Sequence, residues 1–203
     1  MGLTHFWPFH NHTKDIFGGK NHIGLSKFTN DRESNENSAL LIDKANHFLP
    51  AYDYFSGNYT FSFWIRLDNF ININHMAVFA CGDSRQKKYF VLRIIANGEV
   101  QLLERDNNTQ DILSIGSFEV NEWNHVSLTF NNEVVCFYKN GIKISSKTWK
   151  FRNEPYIREF YKFGNTLTNI ALSDFMIFNR ELNPDEVKAF KELPSNIEKQ
   201  VVS

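Results

Sequence analysis

The chain predicts an all-β fold: a sandwich of two antiparallel sheets with one short helix near the C-terminus. Strand-like segments recur with turn signals between them, the pattern of a sandwich or barrel. Twenty Phe, seven Tyr and four Trp give 15% aromatic residues, a supply suited to half-buried pleated surfaces. Helical patterning is scarce, with one convincing helix start, at Asn183.

The clearest strand is Thr60 to Leu67. Phe61, Phe63, Ile65 and Leu67 alternate there with Thr60, Ser62, Trp64 and Arg66, so one face is apolar and the other mixed. Met76 to Cys81 and Tyr89 to Ile95 follow, and Asn97-Gly98 turns the chain into Val100 to Leu103. An Asn-Gly pair supplies the positive φ angles of a tight hairpin. Trp123 to Phe130 turns at Asn131-Asn132 into Val134 to Tyr138, and Asn140-Gly141 returns the chain into Ile142 to Ser145. The last strand is Ile170 to Phe178. Asn183 then reads as an N-cap, with Pro184 at the first helical position and Glu186 at the capping-box position. Val187, Phe190 and Leu193 share a face that packs this helix onto the sandwich. The expected organisation is one domain over residues 1–190 and a polar tail or linker over 191–203.

At 203 residues the chain is long enough to bury roughly 70% of its unfolded surface without staples. A net charge of -1 supplies no global field toward nucleic acid. No apolar run reaches the ~18 residues of a membrane helix, so no membrane insertion is expected. Met1 to Pro8 lacks the charged lead and apolar core of a signal peptide. Sequons at Asn11, Asn58 and Asn107 point to a domain of a secreted or membrane-anchored protein, hence an extracellular setting. Cys81 and Cys136 are too few for a disulfide framework; one bridge and two buried thiols both stay open.

Six segments carry a resemblance: HFWPFHNHTKDIFGGKNHIG (5–24), SALLIDKANHFLP (38–50), YTFSFWIRL (59–67), NEWNHVSLTF (121–130), VCFYKNGIKI (135–144) and LSDFMIFNRELNPDEV (172–187). In this order they resemble the laminin-G-like, concanavalin A-like lectin/glucanase jelly rolls, a group that includes the pentraxins. The resemblance spans about residues 5 to 190. It implies that Trp7 and Phe9 enter the core from a first strand adjacent to the last one, and that Trp123 caps the end of the sandwich.

The resemblance also implies calcium between the N-terminal loop and the last strand, held by Asp15, carbonyls around Gly18 to Asn21, and Asp174. Calcium takes 6–8 hard oxygen ligands. The family pattern often has two consecutive acids where this chain has Ser173-Asp174, so one carboxylate is missing. The plainer reading is that Asp15 orders its own turn. A second candidate is a basic stretch of Lys139, Lys143, Lys147, Lys150, Arg152, Arg158 and Lys162, able to hold sulfated or sialylated glycans, or simply to keep an edge strand from pairing. A third is an aromatic surface for a neutral sugar: Trp64, Trp149, Tyr52, Tyr54 and Tyr156, with Asn72, Asn74 and Asn153. Such aromatics also serve protein contacts.

Catalysis has little support. Glu104 and Asp106 alternate as paired carboxylates would, but they run into the Asn107-Asn108 turn, where charge is expected anyway. His10 and His12 form an isolated loop pair, and neither cysteine has a nucleophile motif. The expected function is a non-catalytic module that binds a glycan or a protein. The alternatives are a glycoside-active enzyme of the same fold and a structural spacer.

Overall fold

The computed structural model describes residues 2–22, 24–68, 75–83, 88–106, 109–131, 133–148, 160–165 and 168–195. The strands are β1 (Leu3–Trp7), β2 (Lys27–Thr29), β3 (Ala39–Asp43), β4 (His47–Phe48) and β5 (Tyr59–Leu67), then β6 (Met76–Asp83), β7 (Lys88–Ile94), β8 (Glu99–Asp106) and β9 (Thr109–Ser117). β10 (Trp123–Phe130), β11 (Val134–Lys139), β12 (Ile142–Thr148), β13 (Phe160–Phe163), β14 (Asn169–Phe178) and helix α1 (Pro184–Lys191) complete the series.

One sheet runs β12-β11-β10-β5-β14-β3-β2, with β1 also on β14; the other runs β4-β13-β6-β7-β8-β9. Every strand pair in the two sheets is antiparallel. The expected sandwich is therefore present, and the first strand does lie beside the last.

Alternation along β5 decides its two faces. Phe61, Phe63, Ile65 and Leu67 are buried between the sheets, while Thr60, Ser62, Trp64 and Arg66 point outward. Phe175 of β14 is a hub of the inter-sheet core, with ring centroids 4.8 Å from Phe163, 5.6 Å from Phe63 and Phe79, and 5.8 Å from Trp7. A second apolar cluster lies on the outside of the larger sheet, where Val187 and Phe190 of α1 cover Phe6, Cys136, Met176 and Phe178. The helix begins as its sequence dictates: Asn183 accepts from the Glu186 N–H, and Glu186 reaches back to the Asn183 N–H. It ends at Lys191, so Leu193 lies beyond it.

The two Asn-Gly turns differ. Asn140 and Gly141 both have positive φ (51° and 81°), the tight hairpin expected. At the other, only Gly98 is left-handed. The Asn97 side chain instead accepts from the Glu99 N–H, and a longer loop closes between Ile95 and Glu99. The Asn131-Asn132 and Asn107-Asn108 turns involve residues outside the described set.

Candidate functional site

The residues singled out for calcium are committed elsewhere. Asp15 is buried, and its carboxylate accepts from the N–H groups of Phe6 (2.9 Å), Phe17 (3.1 Å), Gly18 (2.9 Å) and Lys20 (3.0 Å). It also pairs with His5 Nδ1 at 2.7 Å. Burial alone would raise its pKa, but the bonds from His5, Phe6, Gly18 and Lys20 hold it below the usual carboxylate range. Asn21 Oδ1 accepts from the Asp15 N–H at 3.2 Å.

Asp174 belongs to a different network. Its Oδ2 accepts from Arg32 Nη1 at 2.5 Å, while Oδ1 lies 3.9 Å from His10 Nε2. Burial pushes its carboxyl up to about 7, against the pull of Arg32. Asp15 thus faces N–H donors and Asp174 a guanidinium on Oδ2, its buried Oδ1 being left without a hydrogen bond, and the two have no shared partner among the described residues. The donor set does not fit calcium in this arrangement. Among the described residues no cluster of three or more His, Cys, Asp or Glu could hold a metal ion.

The basic stretch does not converge either. Lys139 donates to the Ser117 carbonyl at 2.6 Å, and Lys147 forms an ion pair with Asp111. Lys143 pairs in register with Tyr138, on the outer face with Cys136. A register shift at Phe137/Tyr138 sets it on the opposite side of β12 from Lys147. Lys150, Arg152 and Arg158 lie outside the described residues, as do Trp149, Tyr156, Asn72, Asn74 and Asn153. Trp64 is half-buried under the Arg32 guanidinium, 4.6 Å from its ring centroid, with His125 at 5.3 Å on its flank. Tyr52 is exposed, while Tyr54 is buried against His5, Trp7 and Tyr161.

What the fold does bring together is a polar cavity of about 310 Å³ lined by Glu104, Asp106, Thr109, Gln110 and Asp111. Along β8, Val100 and Leu102 face the inter-sheet core, so the period-two rule sends Glu104 and Asp106 to the same side. The β8–β9 register sets Glu104 opposite Asp111 and Asp106 opposite Thr109. Glu104 is only 5% exposed. Lys147 reaches Asp111 from β12, and Lys88 Nζ stands 3.9 Å from Asp106 Oδ1.

The described lining holds three carboxylates, two of them met by lysines from neighbouring strands. The sequence showed the Glu104–Asp106 alternation, but Asp111 comes in through strand register, which Thr109–Ser117 does not advertise. The cavity sits at the small end of the ~300–1,000 Å³ range of ligand sites, and its lining is polar rather than apolar. It offers several acceptors to a hydroxyl-rich ligand.

A family model described as the concanavalin A-like lectin/glucanases superfamily matches residues 42–188. The chain belongs to that superfamily. No curated protein matches the sequence.

Several solved structures share this concanavalin A-like fold. One is domain 4 of AbnA, a GH43 extracellular arabinanase from Geobacillus stearothermophilus, in complex with arabinotriose. Its TM-score is 0.78 at 16% identity, covering 94% of this chain and 98% of that one. A structure of botulinum neurotoxin type C, whose cell entry depends on two ganglioside molecules, matches with TM-score 0.74 at 14% identity, covering 94% and 50%. The binding domain of botulinum neurotoxin DC with rat synaptotagmin II matches at 0.75 and 16%, covering 94% and 51%. This chain thus spans the arabinanase domain and about half of each toxin chain. At these identities the likeness is one of fold.

Proposed function

We propose that this domain is a non-catalytic glycan-binding module of an extracellular protein, with the Glu104–Asp111 cavity as its sugar site. The observation that carries the reading is the lining: three carboxylates, Thr109 and Gln110 around one cavity. Sugar hydroxyls donate to ionised carboxylates in charge-assisted hydrogen bonds, which are about twice as strong as neutral ones. Three carboxylates among the described lining residues favour an uncharged sugar chain over a sialylated or sulfated one. The likeness to a domain seen with a neutral oligosaccharide, arabinotriose, supports that choice.

The test is calorimetric titration of the domain with neutral arabino-oligosaccharides, a sialylated oligosaccharide and a sulfated one. Saturable binding of a neutral chain, weakened about tenfold in Asp111→Asn, is expected; a loss of ~1.4 kcal/mol is the scale of one such hydrogen bond. Binding of anionic glycans alone would overturn the reading.

One observation favours a glycoside-active enzyme as the second reading. Directly opposed residues on antiparallel strands hold their Cβ atoms about 4.5–5.5 Å apart, which can bring Glu104 and Asp111 near the ~5–5.5 Å carboxyl separation of retaining glycosidases. Release of reducing ends from a bound oligosaccharide, abolished in Glu104→Gln, separates that reading from a binding module.

A further inference from the structure

The calcium expectation and the observed side chains disagree in an informative way. The metal was expected to tie the N-terminal loop to the last strand through Asp174. At that place β14 bulges between Ser173 and Met176, and Asp174 sits at φ +53°, a left-handed conformation that a non-glycine residue seldom adopts. Arg32 occupies the cation's place on one Asp174 oxygen, Oδ2, while Oδ1 is left without a hydrogen bond. Its Nη1 donates to Asp174 Oδ2 at 2.5 Å, its Nη2 donates to the Leu193 carbonyl at 2.8 Å, and its plane covers Trp64 at 4.6 Å.

The loop that presents Arg32 is itself preorganised. Asp31 accepts from the N–H groups of Glu33 and Asn35, both at 2.9 Å, and from the Asn35 side chain at 3.0 Å. The same loop holds the segment after α1. Asn35 Nδ2 donates to Ser195 Oγ at 2.8 Å, and the Ser195 N–H donates to Glu33 at 2.9 Å. Asp15, the other carboxylate expected to bind calcium, has five N–H donors on its oxygens where ligand positions were needed.

We infer that Arg32 replaces calcium as the tie between the last strand, the Asp31–Asn35 loop and the segment after the helix, making the domain metal-independent. A guanidinium suits the task because its rigid fork reaches a carboxylate and a carbonyl at once. A lysine ammonium is a point charge and cannot span both with that geometry.

The experiment is a thermal melt of the wild type, Arg32→Lys and Arg32→Ala, each in millimolar calcium and in chelator, with limited proteolysis of the same samples. The wild-type midpoint is expected to be the same in calcium and chelator. Arg32→Ala falls by roughly 10 °C, the scale for breaking a buried ion pair in a chain of this size. Arg32→Lys recovers little of that loss, and calcium restores neither variant. Both variants are cleaved faster near Leu193, whereas Lys27→Ala, at an exposed ion pair, is not.

A calcium-dependent rise of the wild-type midpoint, reversed by chelator and absent in Asp174→Asn, would overturn the inference. So would full rescue by Arg32→Lys. If Arg32→Ala does not fold, the wild-type melts and calcium titration of the wild type decide the matter alone. Neither result bears on sugar binding at the cavity.

Discussion

Glu104 stands directly opposite Asp111 across the β8–β9 hairpin, two carboxylates on one face of one strand pair. Like charges so placed destabilise a hairpin by up to about 1 kcal/mol. Lys147 offsets part of that through Asp111, and any repulsion left between the two is of the kind binding sites retain at the expense of stability. Glu104→Gln is therefore expected to leave the melting midpoint unchanged or raise it by ~1–3 °C. It should lower affinity for a neutral oligosaccharide about tenfold in titration calorimetry. A variant less stable than the wild type with unchanged affinity would contradict this assignment.

The aromatic core rests on Phe175, which touches both sheets through Phe63 of β5 and Phe79 of β6. Phe175→Ala removes a fully buried ring from that junction and should cost about 3–5 kcal/mol. Urea unfolding followed by tryptophan fluorescence measures it as a lower midpoint with a similar slope.

Acid should destabilise the domain. Burial pushes His22 and His125 down to about 3 from 6.5, and the neighbouring His47 depresses His22 further. His22 and His47 stack at 4.9 Å, and His47 is lowered by its own burial. Between pH 6.5 and 3 the unfolded chain binds protons that these folded imidazoles refuse. Stability therefore falls as pH falls, by up to ~1.4 kcal/mol per pH unit for each histidine. Asp174 works the other way: raised from 3.8 to about 7, it keeps a proton in the folded state that the unfolded state has lost. Its stabilisation grows as pH falls from 7 toward 3.8. Two strongly shifted imidazoles outweigh one carboxyl, so urea midpoints should drop from pH 7 to pH 4, and less steeply in His22→Leu.

Neither cysteine is in a disulfide, and the two are buried in separate places. Cys81 faces the inter-sheet core, and Cys136 lies outside the larger sheet with Met176 and Phe178. A thiol reagent should titrate both only after denaturation, and a reductant should leave the melting midpoint unmoved.

Period-two alternation made β5 and its two faces legible in the sequence, and paired polar signals marked the helix at Asn183. β9 and β13 were not legible. β9 ends its sheet among the described residues, and Thr109 to Ser117 carries only a weak apolar pattern, while β13 is four residues held by its neighbours.

The site divided in the same way. Glu104 and Asp106 stood out as an alternating pair, but Asp111 joins them only through hairpin register. Asp174 was visible as an acid in a family motif. Its partner Arg32 is 142 positions away in the chain, in a loop whose turn chemistry gives no sign of its target. Lys139, Lys143 and Lys147 looked like one basic edge, yet a single register shift in β12 divides them between two faces.

The most direct test of the central claim is a glycan-binding titration that compares neutral, sialylated and sulfated oligosaccharides, each in calcium and in chelator. The account predicts saturable binding of a neutral chain that ignores chelator and weakens in both Glu104→Gln and Asp111→Asn. Binding restricted to anionic glycans, binding lost in chelator, or no glycan binding at all would contradict it, the last leaving a protein-contact module in its place.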